Sequence, residues 1–144
     1  NRGTIFGKGG DGTGGKRYAL VMSQYTEGAV GLVVDDDVTQ YVVDSVTKTN
    51  DDQWHFVAGQ RQGATIRIFI DGQLKGTTAL SADYNMAGTA QHNAYIGALT
   101  NHSNGNLYKF FSGLIDDVRV YSKALSVGEI LWLVGQTTPA AQPF

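Results

Sequence analysis

Short runs of β-forming residues recur along this chain, each closed by Gly, Asp, Ser or Asn. Residues 18–22, 29–34 and 40–44 are the first three, and residues 54–58 follow the polar turn at 49–52. In residues 65–70 the side chains of Ile66, Ile68 and Ile70 share one face, because successive side chains alternate across a strand. Asp71 and Gly72 come next as a hairpin signal, since a two-residue turn of this kind needs positive φ, which Gly adopts freely and Asp tolerates. A return strand is predicted over 73–78, with further strands over 94–99, 107–112 and 114–121. No long amphipathic helix separates these runs, so the pattern predicts an all-β antiparallel sandwich or barrel.

One short helix is predicted near the C-terminal end. Ser126 and Glu129 have the spacing of a capping box, in which each side chain satisfies the other's backbone amide. Ile130, Leu131, Leu133 and Val134 supply its apolar contacts, and Trp132 is expected to pin it to the core. Trp54 is expected to be a core anchor, and Phe110 and Phe111 to face the core on at least one side. Beyond Gly135, residues 136–144 read as a linker or tail.

Composition narrows the function classes. A chain of 144 residues with 42% hydrophobic content is one ordinary globular domain, and nineteen glycines suit a fold with many tight turns. A net charge of −2, with eleven scattered Lys and Arg, lacks the basic footprint of a nucleic-acid partner. The longest apolar run, residues 130–134, is far too short for a membrane-spanning helix. Cysteine is absent, which removes disulfides, thiolate metal sites and cysteine nucleophiles together. The chain opens on Asn1 in place of Met, so a piece of a longer protein is expected.

The string FSGLIDDVRVYSKALSVGEI at residues 111–130 resembles the closing motif of laminin-G-like domains, which belong to the concanavalin A-like lectin/glucanase superfamily. GTIFGK at 3–8, DQWHFV at 52–57, IFIDG at 68–72 and AYIG at 94–97 resemble the same family in the same order. The resemblance implies a jelly roll over residues 1–135 that lacks its first strands. One absent strand would pair with residues 114–121, so a longer chain, a neighbouring domain or another chain is expected to complete the sheet. It also implies an extracellular setting, secreted or at the cell surface. Because one fold hosts many activities, it fixes fold better than function.

The chemistry-bearing residues favour binding over catalysis. Glycoside hydrolysis takes two carboxylates flanking the bond, and the only glutamates, Glu27 and Glu129, are far apart with no Glu-x-Asp-x-x-Glu spacing. His55 falls in a predicted strand, while His92 and His102 lie in polar stretches, and no Gly-x-Ser-x-Gly elbow accompanies them. A lyase using His with Tyr95 or Tyr108 stays open. Asp35, Asp36 and Asp37 read as a solvated loop without the Gly and Glu of a calcium-binding EF-hand. The family resemblance implies one structural calcium ion, with Asp116 as its ligand here and the other ligands in the absent first strands. The loop bearing Asn101, His102, Asn104, Asn106 and Tyr108 combines amides, an imidazole and an aromatic ring, the groups that recognise a sugar. The expectation is a non-catalytic, lectin-like module whose partner is a carbohydrate. The alternatives are a structural or adhesive spacer making protein contacts, and a fragment of a polysaccharide lyase or glycosidase.

Overall fold

The computed structural model describes residues 2–11, 16–83, 86 and 93–136. Among these are ten strands: β1 (Thr4–Asp11), β2 (Arg17–Met22), β3 (Ala29–Asp35), β4 (Gln40–Lys48), β5 (Val57–Gln62), β6 (Thr65–Ile70), β7 (Gln73–Ala79), β8 (Ala94–Ile96), β9 (Leu99–Asn101) and β10 (Leu107–Tyr108). One helix, α1 (Val127–Gln136), follows. The larger sheet has the order β10-β9-β1-β2-β3-β4, with β8 also paired to β1, and the second has the order β5-β6-β7. The sandwich is therefore as expected, with one departure: β9 runs parallel to β1.

Alternation along β2 shows how the two faces of the larger sheet arise. Tyr18, Leu20 and Met22 face the second sheet and pack on a core of Val30, Leu32, Val34, Val43, Ile66, Ile68 and Ile70. Arg17, Ala19 and Val21 alternate with them, and Ala19 and Val21 join Val33 and Leu99 in a smaller cluster on the outer face. β3 runs through the middle of the sheet between β2 and β4, and its residues 29–34 are buried on both faces. Each such aliphatic side chain contributes about 1.5–3 kcal/mol when fully buried.

The β6–β7 hairpin turns where expected, with φ of 51° at Asp71 and 78° at Gly72. A side chain on Gly72 would also strike Leu131 of α1, so the turn and the helix dock on the same glycine. The capping box forms: the Ser126 amide donates to Glu129 Oε2 at 2.7 Å, and the Glu129 amide donates to Ser126 Oγ at 3.2 Å. Lys123 donates to the other Glu129 oxygen, and these bonds hold the Glu129 carboxyl down at about 2.

Several expectations are corrected. Residues 114–121 run without a turn or bend but belong to no strand ladder, because among the described residues no strand lies beside them. The run at 94–99 breaks at Gly97, whose φ of 77° separates β8 from β9. The run at 107–112 keeps only Leu107 and Tyr108 as strand. The expected strand at 54–58 begins instead at Val57, since the backbone before it is tied to Asp71. Trp132 is 63% exposed: α1 turns Ile130 and Leu133 inward at helical spacing, which leaves the tryptophan outside. Trp54 and Phe111 are half-buried, and Phe110 is exposed. Asp36 is buried, because its Oδ1 accepts from the amides of Val38 and Thr39 and so shapes the β3–β4 turn. Those bonds, foremost the one from Thr39, lower its pKa against the opposing effect of burial. His92 and residues 137–144 lie outside the described residues.

Candidate functional site

Charged groups gather at one end of the larger sheet's outer face. β1 ends on Asp11, β2 begins on Arg17, β3 ends on Asp35 and β4 begins on Gln40, so the pairing of β2 with β3 and β3 with β4 sets them side by side. Arg17 is 5% exposed and forms ion pairs with Asp11 and, at 3.6 Å, with Asp35. It also donates to Gln40 Oε1, while its buried Nε has no hydrogen-bond partner within the described chain. Burial lowers the Arg17 pKa, and the Asp35 charge opposes that shift.

From the other side come Tyr108 and Lys109. Both donate to the Asp11 carboxylate, and the Lys109 ammonium stands 5.1 Å from the Tyr108 ring centre. Burial, with the Arg17 and Arg2 charges nearby, brings the Lys109 pKa down to about 8. The result is a partly open patch of two cations, two carboxylates, an amide and an aromatic ring. Such a set can hydrogen-bond several hydroxyls of one ligand in fixed geometry.

The hairpin between β9 and β10 borders this patch. The His102 amide donates to the Asp11 carbonyl at 3.0 Å, which ties the hairpin to β1. Asn101 and Asn104 use their side-chain oxygens on the hairpin itself, accepting from the amides of Ser103 and Asn106. Of the five residues expected to bind a ligand, Tyr108 enters the patch. Asn101 and His102 flank it, and Asn104 and Asn106 form the exposed tip. Sequence reasoning missed Asp11, Arg17, Asp35, Gln40 and Lys109. One signal for them was present: Arg17 shares its face with the apolar Ala19 and Val21, which aims a charge along a buried surface.

Asp116 stands apart from this patch. It is exposed, and its Oδ1 accepts from the Asp117 amide at 2.7 Å. Asp117 is itself held by Arg119 through two bonds of 2.9 Å. Among the described residues no three His, Asp or Glu side chains surround a metal-sized point, short of the six to eight oxygens that calcium takes. Within the described residues Asp116 would be the one carboxylate of the expected site, its other ligands being expected in the absent first strands.

His55 is held between two carboxylates, with Nδ1 2.8 Å from Asp71 and Nε2 3.0 Å from Asp51. A Ser-His-Asp triad needs one ring nitrogen for the serine, and here carboxylates take both. Burial would lower the imidazole pKa, but the bonds and charges of Asp71 and Asp51 outweigh it and raise it. His55 thereby locks the turn that begins β7 to the chain entering β5.

Beside it lies a cavity of about 920 Å³. β5 forms one wall, residues 114–121 the other, and Ile5, Leu20, Met22 and Leu32 of the larger sheet lie between them.

Comparisons with known proteins agree with this architecture. The Laminin_G_3 family model, described as the Concanavalin A-like lectin/glucanases superfamily, matches residues 1–131. No curated protein matches the chain. A solved structure of the Ruminococcus gnavus IT-sialidase CBM40 superposes with a TM-score of 0.75 at 21% identity, covering 94% of this chain and 75% of that one. The same module bound to alpha2,3 sialyllactose gives 0.74 at 20% identity, over 93% and 74%. Bound to alpha2,6 sialyllactose it gives 0.72 at 21% identity, over 93% and 75%. The chain belongs to the concanavalin A-like lectin/glucanases superfamily and shares its fold with carbohydrate-binding modules.

Proposed function

We propose that this member of the superfamily is a non-catalytic carbohydrate-binding module of a secreted or cell-surface protein, with its glycan on the outer face of the larger sheet. The observation that carries this reading is the convergence of Asp11, Arg17, Lys109 and Tyr108 from three separate stretches of chain onto one partly open patch. Asp11 is oriented by three donors, so its remaining lone pairs are preset for ligand hydroxyls. Lys109 keeps donors to spare, and the Tyr108 ring offers an apolar surface to the C–H face of a pyranose. Gln40 and the tip residues Asn104 and Asn106 supply exposed amides at the rim.

The same geometry supports binding without catalysis. Glycosidic cleavage by two carboxylates requires one of them to stay protonated, which an apolar setting favours. Asp11 and Asp35 are instead both ion-paired with the same Arg17. The fold-mates bound to alpha2,3 and alpha2,6 sialyllactose support the choice of glycan class.

The test is a thermal-shift panel with both sialyllactoses, lactose and calcium. A ligand that binds only the folded chain must raise the midpoint. A glycan-dependent rise that disappears in Tyr108→Ala, without any rise from calcium, is the expected result. Absence of any glycan response in a folded sample would remove this reading and favour the spacer alternative.

A further inference from the structure

Asn104 alone among the asparagines of this chain is followed by glycine. At such a pair the asparagine side chain can close on the backbone, because no side chain on the next residue shields its amide nitrogen. Whether a fold permits that closure depends on how firmly the two residues are held, and two hairpin turns of this chain differ in just that respect. Asp71–Gly72 joins β6 to β7 and Asn104–Gly105 lies between β9 and β10, with φ of 78° and 73° at the two glycines. The first pair is held. One Asp71 oxygen accepts from the Phe56 amide at 3.0 Å, the other lies 2.8 Å from His55, and a Cβ on Gly72 would meet Leu131 at 2.7 Å. The second pair is open. Asn104 and Gly105 are both exposed, and a Cβ on Gly105 would meet nothing within 4 Å.

Two hydrogen bonds bear on the reaction. The Asn106 amide donates to Asn104 Oδ1 at 3.0 Å, the atom on which negative charge develops when a nitrogen adds to Cγ, so this donor stabilises the tetrahedral intermediate. The Gly105 amide donates to the Asn101 carbonyl at 2.9 Å and must leave it before reacting. That bond lies in an exposed turn, where local opening costs little. The Gly105 nitrogen then gives its proton to hydroxide and bonds to Asn104 Cγ, Nδ2 departs as ammonia, and a cyclic succinimide remains. Water opens either of its two carbonyls. One opening gives aspartate; the other gives isoaspartate, whose main chain runs through Cβ and Cγ and is one methylene longer.

We propose that Asn104 is a site of spontaneous deamidation, and that its isoaspartyl product breaks the main-chain bond closing the β9–β10 hairpin. That bond runs from the Asn101 amide to the Asn106 carbonyl at 2.8 Å and spans the altered residue, so an extra methylene there forces its two ends out of register. The inference is independent of the carbohydrate reading, since it needs no ligand.

The folded chain is held in mildly alkaline buffer at body temperature and sampled by peptide mapping, beside a parallel sample in guanidinium chloride. A gain of one dalton, divided between aspartyl and isoaspartyl peptides, is expected at Asn104 at least tenfold faster than at any other asparagine. Denaturation is expected to leave that rate within about threefold, while isoaspartate at Asp71 rises from trace levels once its partners are lost. Asn104→Gln, which would have to close a larger ring, is expected to stay intact. Amide exchange at Asn101 is expected to quicken in the isoaspartyl fraction and to stay unchanged in Asn104→Asp, which carries the new charge without the extra methylene. An Asn104 no faster than the other asparagines, or one that reacts only when denatured, would overturn the site. Unaltered exchange at Asn101 in the isoaspartyl fraction, or equal quickening in Asn104→Asp, would overturn its effect on the hairpin.

Discussion

β3 and residues 114–121 carry comparable sequences and meet different fates. AVGLVVD at β3 and LIDDVRVY at 114–121 are both rich in β-branched and apolar residues, yet only the first forms a strand. β3 lies between two partners and buries six of its seven residues, whereas 114–121 leaves Leu114, Val120 and Tyr121 exposed. Intrinsic preference is thus insufficient: a strand exists where another strand stands beside it, and β-propensity mostly measures fit to such a surface. The exposed apolar edge of 114–121 is also a hazard that natural sheets cover.

The contrast can be broken most forcefully in the core. Ile68, fully buried, points from β6 into the inter-sheet core, and Ile68→Ala should cost about 4 kcal/mol in chemical denaturation. Val120→Ala, the matching truncation on the unpaired segment, should change stability by less than about 0.5 kcal/mol. Similar costs at the two sites would mean that 114–121 is packed in solution.

Arg17→Ala sharpens the comparison on the charged side of the larger sheet. It leaves two carboxylates facing each other without their shared cation, and should cost about 3 kcal/mol as measured by urea unfolding. A loss below about 1 kcal/mol would show that the pairs contribute little.

His55 gives a smaller, pH-dependent effect on the other sheet. Its folded pKa is raised above the unfolded value, so its stabilisation is complete below the unfolded value of about 6.5 and fades as pH rises through the folded one. The melting midpoint should therefore fall between about pH 6 and pH 8, and His55→Gln should flatten that slope. An unchanged slope would show that Asp51 and Asp71 do not hold an imidazolium.

A small stabilising effect is expected within the paired sheet itself. Register slips between Ala29 and Gly31, so β4 bulges opposite Val30 and Val46 takes a φ of 58°. A β-branched residue is strained there, and Val46 is 68% exposed, so Val46→Gly should stabilise by about 0.5–1 kcal/mol in thermal unfolding. A destabilised variant would show that Val46 is held by packing instead.

What the sequence made legible follows the range of the interaction. The β6 span, the Asp71 and Gly72 turn and the Ser126–Glu129 box rest on neighbours within a few residues, and each appears in the structure. The family resemblance carried the sandwich. The patch was largely hidden, because Tyr108 reaches Asp11 across 97 residues and only the pairing of β1 with β9 brings them together. The His55 site was hidden for the same reason, its two aspartates lying on opposite sides in sequence. Asn101 and Asn104 look like sugar ligands in sequence, but their side-chain oxygens stabilise the hairpin, as turn-forming asparagines do.

Backbone NMR during titration with alpha2,3 sialyllactose tests most directly whether the proposed glycan site lies at the Asp11 patch. Shifts are expected to concentrate at Asp11, Arg17, Gln40, Tyr108 and Lys109, with none along β5 or residues 114–121. Shifts confined to the β5 cavity, or none up to millimolar ligand, would contradict it.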